Sequence, residues 1–185
     1  AINEKCLSAL RFESREWLSS QLKISIESLV SFAVGFHPNR RAFSFPMRLP
    51  NGTVCGIRYR THDGNKFSET GGREGIFFVP SSLVRDYLVI VEGPTDAMAM
   101  ADLGFESVVG RANCRGNIQQ IITVSRRLQP RLAIIVPDND DPGIAGAKSL
   151  QAALRLVVPV FIVQPPKGVK DVRDCASEKE NADWL

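Results

Sequence analysis

Three short apolar runs in the second half of the chain constrain its fold more than any other feature. Residues 88–91, 132–136 and 160–163 are rich in β-branched side chains and too short for helices. They read as strands, the first buried on both faces and the second buried likewise. Helix patterns follow the first two. One spans residues 95–103, opens behind Pro94 and stops at Gly104; the other spans residues 144–156. Pro suits a first helical turn, where its missing N–H would have no partner anyway, and Gly suits a helix end. Strands that alternate with helices in this way predict an α/β fold with a parallel sheet.

Each of these strands runs into acid. Glu92 follows the first directly. Asp138-Asn139-Asp140-Asp141-Pro142-Gly143 follows the second, and residues 165–174 after the third contain Asp171 and Asp174. In a parallel sheet Glu92, Asp138, Asp140 and Asp171 emerge at one edge, the carboxyl edge, where open α/β sheets bind ligands. Clustered carboxylates repel one another, so such a set calls for a cation. Oxygen-only donors favour Mg²⁺ or Mn²⁺ over zinc. Asp138 and Asp140 flank a single residue and can face one ion. Asp96 falls one helical turn after Glu92 and on the same face; it also fits simple complementation of a helix N-terminus. Asp141 before Pro142 fits a turn-shaping role, and Asp174 a helix cap.

The first half reads differently. Residues 1 to about 40 look helical, with Ser14 and Ser25 as candidate caps and Trp17, Leu18, Leu22, Leu29, Val30 and Phe32 as the apolar side. From Ala42 the period changes to two. Phe43, Phe45, Met47 and Leu49 alternate with Ser44, Pro46 and Arg48, which predicts a strand with one buried face, and Pro46 places it at an edge. Turn signals at residues 50–52 and 62–65 then predict an antiparallel meander through residues 53–60 and 66–69. Residues 76–79 are its last apolar piece. Arg58 and Arg60 share a strand face. With Arg40, Arg41, Arg48, Lys66 and Arg73 they form a basic stripe suited to a nucleic-acid backbone or a triphosphate, or else an ordinary solvated face. Residues 81–85 predict a short helical link into the central strand. A brief strand at 107–109, a polar loop at 110–116 and a helix at 117–128 fill the middle of the second half. The tail from Cys175 is polar and helical at best. His37 and His62 lie in turns without ligand spacing and read as structural or solvent-facing.

Composition bounds the class. Hydrophobic residues make up 44% of 185, and 23 basic against 20 acidic residues leave a formal charge of +3. This excludes a disordered chain. If the acids gather at a metal site, the rest of the surface is more basic than the total suggests. Cys6, Cys55, Cys114 and Cys175 form no C-x-x-C pair, so no zinc ribbon is encoded, and scattered thiols read as those of a reduced, cytoplasmic protein. No apolar run approaches a membrane span of about 20 residues. The start at Ala1 rather than Met suggests a piece of a longer chain.

E-G-P-T-D-A at 92–97, D-N-D-D-P-G at 138–143 and K-D-V-R-D at 170–174 together resemble the Toprim domain shared by DnaG-type primases, topoisomerases and some nucleases. The resemblance covers roughly residues 87–176. It implies a Toprim-like parallel sheet flanked by helices. Glu92 would act as general acid or base, Asp138 and Asp140 would hold metal, and Gly93, Asp96 and Gly143 would support the site. G-I-R-Y-R at 56–60 followed by Lys66-Phe67 is similar to the basic sheet that precedes Toprim in DnaG-type and phage primases. It implies that Arg60 and Lys66, with Arg58 and Lys170, contact nucleotide or DNA. The chain departs from the pattern twice. Ser68-Glu69 stands where the family has asparagine-serine, and Arg173 stands where some primases carry a further acid. The expected organisation is a helical and basic antiparallel β subdomain at 1–84 and a Toprim domain at 85–185.

The combination predicts a primase-like RNA-polymerase core. It would join nucleoside triphosphates on single-stranded DNA with Mg²⁺ or Mn²⁺, Glu92, Asp138, Asp140 and Asp171 holding metal and Glu92, Asp138 and Asp140 carrying the chemistry. Two divalent ions roughly 4 Å apart can hold attacking and leaving oxygens. The resemblance also implies a zinc-binding domain and a replicative helicase as partners outside this segment. A Toprim nuclease, a non-catalytic Toprim module that binds nucleic acid, and a receiver- or phosphatase-like acid-cluster fold are the alternatives. A topoisomerase would need a catalytic tyrosine, and neither Tyr59 nor Tyr87 is placed for it.

Overall fold

A computed structural model describes residues 2–176. The chain opens with three short helices, α1 (Ile2–Ala9), α2 (Phe12–Leu22) and α3 (Ile26–Ser31). An antiparallel sheet follows: β1 (Gly35–His37), β2 (Ala42–Arg48), β3 (Val54–Thr61) and β4 (Lys66–Ser68), in that spatial order. The second half runs β5 (Tyr87–Val91), α4 (Pro94–Asp102), β6 (Val108–Gly110), α5 (Ile118–Leu128), β7 (Leu132–Ile135), α6 (Asp141–Leu154), β8 (Val160–Ile162) and α7 (Val172–Ala176). Its sheet is wholly parallel, in the order β6-β5-β7-β8. The chain therefore leaves β5 to one side and returns on the other. That reversal makes the β5–β7 boundary the switch point at which α/β sheets open a ligand crevice.

The short β-branched runs of β5 and β7 are strands because both faces of the sheet are covered there, whereas Phe161 of the edge strand β8 is exposed. Val89 and Val91 pack into one core with α3 and α4, while Leu88 and Ile90 pack into a second with α5 and α6. Full burial of each such side chain stabilises the fold by roughly 1.5–3 kcal/mol. The first core also takes Phe43, Phe45 and Met47 from β2, so the two sheets share it. Two further contacts join them. Ile76 pairs with Arg48 of β2 while its neighbour Phe77 pairs with Gly110 of β6, splicing one sheet to the other. Asp102, at the end of α4, accepts hydrogen bonds from the Ser25 backbone N–H at 2.7 Å and the Ser28 hydroxyl at 2.6 Å, at the start of α3.

Several expectations for the first half change in the structure. β2 is an inner strand, not an edge, and it is buried on both faces because α1 covers the second; Ser44 and Ala42 are wholly inaccessible. Pro46 is tolerated because it falls between the last β1 pairing at Ser44 and the bridge at Arg48, where no partner requires its N–H. Gly35–His37, inside the stretch that looked helical from sequence, is a strand of its own. Ser25 does cap α3, accepting the Ser28 N–H at 3.0 Å. Ser14 caps nothing: α2 begins two residues earlier, with Arg11 as N-cap and no side-chain capping bond. Val30 points to solvent. Residues 81–85 are turns rather than a helix. α6 starts three residues before the expected 144, at Asp141. Of the predicted polar tail, Cys175 and Ala176 close α7, and the remainder lies outside the described residues. His62 packs among Trp17, Phe36 and Phe43, with ring centroids 4.5–6.0 Å apart. No helix among the described residues is long and apolar enough to cross a membrane.

Candidate active site

The carboxyl edge of the parallel sheet faces β3 and β4 of the antiparallel sheet across a cleft of about 410 Å³. Glu92 enters it from the end of β5, on the loop that Pro94 turns into α4. Asp138 enters from the loop after β7, the neighbouring strand. Glu92 Oε1 accepts the Asp138 backbone N–H at 3.3 Å, so the glutamate lies against the aspartate loop and not away from it. Gly143 makes this approach possible: a Cβ there would stand 2.5 Å from the Asp138 carbonyl and 2.8 Å from Glu92 Oε1. Gly93 is held to glycine similarly, by Asp96 Oδ2 at 2.9 Å.

Asp96 lies deep in the cleft wall, 8% exposed, and its Oδ1 has no hydrogen-bond partner. Burial pushes its carboxyl up to about 7; the charges of Asp171 and Asp138 push the same way, against Arg173 and Lys66. Glu92 is also raised to about 7, mainly by burial and then by Asp138, with the Asp138 N–H and Arg111 opposing. Asp138 rises for the same reasons, through burial and then Asp171 and Asp140. Four carboxylates, Glu92, Asp96, Asp138 and Asp171, thus line one cleft, which goes beyond complementation of a helix end.

Asp140 and Asp171 are engaged locally. Asp140 is exposed and does not line the cleft; its Oδ1 accepts the Gly143 N–H at 2.7 Å as the N-cap of α6. Asp171 lines the cleft and caps α7, accepting the Asp174 N–H at 2.9 Å, while Arg173 stands 3.5 Å from its second oxygen. Asp171, not Asp174, is therefore the cap. Asn139, between the two acids of the D-x-D, binds the late loop: its N–H donates to the Lys170 carbonyl at 2.7 Å and its side-chain amide to the Val169 carbonyl at 3.0 Å.

The basic half of the cleft comes from the antiparallel sheet. Arg58 and Arg60 lie on the β3 face that Phe45 and Phe43 share, opposite Ile57 and Tyr59, and both line the cleft with Lys66 of β4 and Lys170. Arg58 also donates to the Ala112 carbonyl across the sheets. Burial and the neighbouring Arg60 hold the Lys66 ammonium below its usual range, and burial and Arg173 do the same for Arg60. The rest of the expected stripe is elsewhere. Arg40 pairs with Glu69 at 2.6 Å beside the Tyr59 ring, and Arg48 donates to the Gly52 carbonyl. Glu69, one of the two residues that depart from the primase pattern, is thereby turned from the cleft to Tyr59 and Arg40.

Sequence reasoning missed Arg111 and Arg173. Arg111 is fully buried, donates twice to the Gly116 carbonyl at 2.9 and 3.1 Å, and lowers the Glu92 carboxyl. It directly follows β6, as Glu92 follows β5, so asking what ends every parallel strand would have found it. Arg173 lines the cleft from α7.

The donor set was tested against the divalent cation that the acids call for. Among the described residues no three carboxylate, histidine or cysteine groups stand close enough to enclose an ion. The chemistry nevertheless fits a hard cation: the donors are oxygen, they repel each other, and Asp96 Oδ1 is buried without a partner. Mg²⁺ in particular is held by one or two carboxylates with waters and substrate phosphates, not by an all-protein cage.

Residues 89–176 match the family model described as Toprim-like. Among solved structures, the zinc-binding and RNA-polymerase domains of the Aquifex aeolicus primase match 97% of the chain at a TM-score of 0.79 and 18% identity. The chain spans 56% of that structure's length. The DnaG primase catalytic domain bound to ssDNA matches 97% of the chain and 73% of its own at 0.76 and 17% identity. The primase fragment of the bacteriophage T7 primase-helicase matches 89% of the chain and 70% of its own at 0.69 and 17% identity. A comparison with curated protein sequences gives no match. The acid-bearing half of the chain, residues 89–176, is thus a Toprim-like domain, and the whole chain has the fold of the DnaG-type and phage primase catalytic cores.

Proposed function

We propose that the chain is a DNA primase-like nucleotidyltransferase that makes short RNA primers on single-stranded DNA. The observation that carries this reading is the two-sided cleft, with Glu92, Asp96, Asp138 and Asp171 on the Toprim wall and Arg58, Arg60 and Lys66 on the other. A triphosphate seated between them meets cations on one side. On the other it meets carboxylates that need a cation. Primase cores of the same fold, one of them bound to ssDNA, support the choice of template. In this reading residues 1–84 bind the polyanion and residues 85–185 hold the reaction centre.

Mg²⁺ or Mn²⁺, when bound, supplies charge neutralisation at the triphosphate, and Asp138 would hold it with Glu92 beside it and Asp140 turned toward α6. The chain's own residues do the rest. Arg58, Arg60, Lys66 and Lys170 bind phosphate oxygens and set the triphosphate in line with the primer end. The primer 3′-oxygen bonds to the α-phosphorus, the α–β phosphoanhydride bond breaks, and pyrophosphate leaves. Glu92, half-buried at the cleft wall, takes the proton from the 3′-hydroxyl. Asp96 supports the electrostatics beneath them. The cysteines are free thiols, which fits a cytoplasmic setting. A zinc-binding domain and a replicative helicase are the partners this role would require.

The test is primer synthesis on single-stranded DNA with labelled nucleoside triphosphates and Mn²⁺. The wild type is expected to make short RNA products. Asp138→Ala is expected to lose at least about 100-fold, the scale of removing one electrostatic stabiliser. Degradation of the template without nucleotides would replace this reading with a nuclease. Binding without product of either kind, unaffected by EDTA, would replace it with a non-catalytic module.

A further inference from the structure

Asp171 and Arg173 stand together in the wall of the cleft. Asp171 is 6% exposed, and both of its oxygens are engaged: Oδ1 accepts the Asp174 N–H at 2.9 Å, and Oδ2 lies 3.5 Å from Arg173 Nη2. Arg173 also lies 3.8 Å from Asp174, and its side chain lines the same cleft as Asp96, Arg60 and Lys66. A carboxylate so paired is a poor metal ligand, because binding an ion there must first break the ion pair and then tolerate the guanidinium beside a dication. The other side of the cleft is different. Asp96 Oδ1 is buried without a partner, and Glu92 and Asp138 share its wall, with Glu92 Oε1 on the Asp138 N–H at 3.3 Å. Asp171 thus already has a cation beside it, whereas the buried Asp96 Oδ1 has no hydrogen-bond partner.

We infer that Arg173 is a built-in cation that takes the place of a second divalent ion, so that this chain binds a single Mg²⁺ or Mn²⁺ on the Asp138 side. This rests on the nucleotidyltransferase reading of the same cleft. Arg173 has a fixed charge and a planar fork suited to phosphate oxygens. Anchored by Asp171, it presents that charge to the cleft that would take the triphosphate. Asp171 is then a positioning residue for Arg173 and not a metal ligand. The cleft is consistent with this, since its lining already carries five Arg and Lys side chains against four carboxylates.

The experiment counts ions and does not depend on turnover. Mn²⁺ is titrated into the wild-type chain, and bound ions are counted from the loss of the free Mn²⁺ EPR signal. The wild type is expected to take up one ion per chain. Arg173→Asp, which adds a carboxylate, and Arg173→Gln, which only frees Asp171, are each expected to take up two, while Arg173→Lys stays at one. Thermal unfolding of each variant shows whether it is folded, and either of the first two suffices if the other is not. Two ions in the wild type, or one ion in every folded variant, would overturn the inference while leaving the primase reading intact. No ion in the wild type, together with metal-independent synthesis, would instead remove the reading on which it rests.

Discussion

Gly143 shows how one missing side chain holds two functional loops together. A Cβ there would stand well inside van der Waals distance of both the Asp138 carbonyl and Glu92 Oε1. Gly143→Ala should leave the fold intact but displace Glu92 from Asp138. We expect a loss in primer synthesis of about 100-fold, the scale of a 1 Å misplacement at a reacting centre, with a far-UV circular dichroism spectrum like that of the wild type. Asp96 makes a different prediction. Its carboxyl titrates near 7 in the folded chain, against about 3.9 in an unfolded one. The native state therefore binds the extra proton between those values. The stability it contributes is full below about pH 4 and is lost as pH rises through about 7. Asp63 and Glu69, held low by hydrogen bonds led by Thr61 and Tyr59, act in the opposite sense, but they are unchanged in a variant at Asp96. Asp96→Asn should thus gain stability on the wild type from pH 5 to pH 8 in metal-free buffer, by a few kcal/mol. Melting both proteins across that range checks this, and an equal pH response in the two would refute it.

At the scale of elements, the join between α3 and α4 is polar where the rest of the shared core is apolar. Asp102 sits at the C-terminal end of α4, where the helix dipole disfavours an anion, yet it faces the N-terminal end of α3, where the dipole favours one. Its oxygens take the Ser25 and Ser28 donors. Ser25 also caps α3. Ser25→Ala removes the cap and a further bond that the Ser25 hydroxyl donates to Asp102, so we expect a loss of about 1–2 kcal/mol and a fall in Tm of roughly 2–8 °C for a chain of this size. The elements also differ in how far they could be read from sequence. β5 and β7 were legible because a strand covered on both faces needs no alternation, only a short β-branched run. Gly35–His37 was not, because three residues carry no period and this strand exists only by pairing with β2. The role of Pro46 depended equally on which neighbours flank β2. The start of α6 was missed because Asp140 looked like a free acid, whereas its oxygen closes the helix.

For the whole molecule, the relation between the two sheets carries the function. The splice at Ile76 and Phe77, the Arg58 bond to the Ala112 carbonyl and the shared apolar core hold the basic face of β3 opposite the Toprim edge. A nucleic-acid backbone in that cleft should release counterions as it binds. Affinity for a single-stranded oligonucleotide should then fall with salt, with a log–log slope of about −0.7 for each phosphate neutralised. Arg58→Ala and Arg60→Ala should each reduce the slope by about 0.7, while Arg40→Ala, whose cation is paired with Glu69 on the other face, should leave it unchanged. Fluorescence anisotropy across a salt series distinguishes these outcomes.

The amino-acid sequence by itself determined the parallel βα units and the acids that follow β5, β7 and β8, because local periodicity and turn chemistry act over a few neighbouring residues. It also carried the Toprim pattern at Glu92, Asp96 and Asp138. Only the tertiary structure decided which charges are available. It set Arg173 against Asp171, turned Asp140 into a helix cap, drew Arg40 away to Glu69 and buried Arg111 behind Glu92. The Arg40 and Arg111 contacts join groups on different elements, which no spacing along the chain encodes, while those of Asp171 and Asp140 span only two and three residues and depend on the backbone path into α7 and α6.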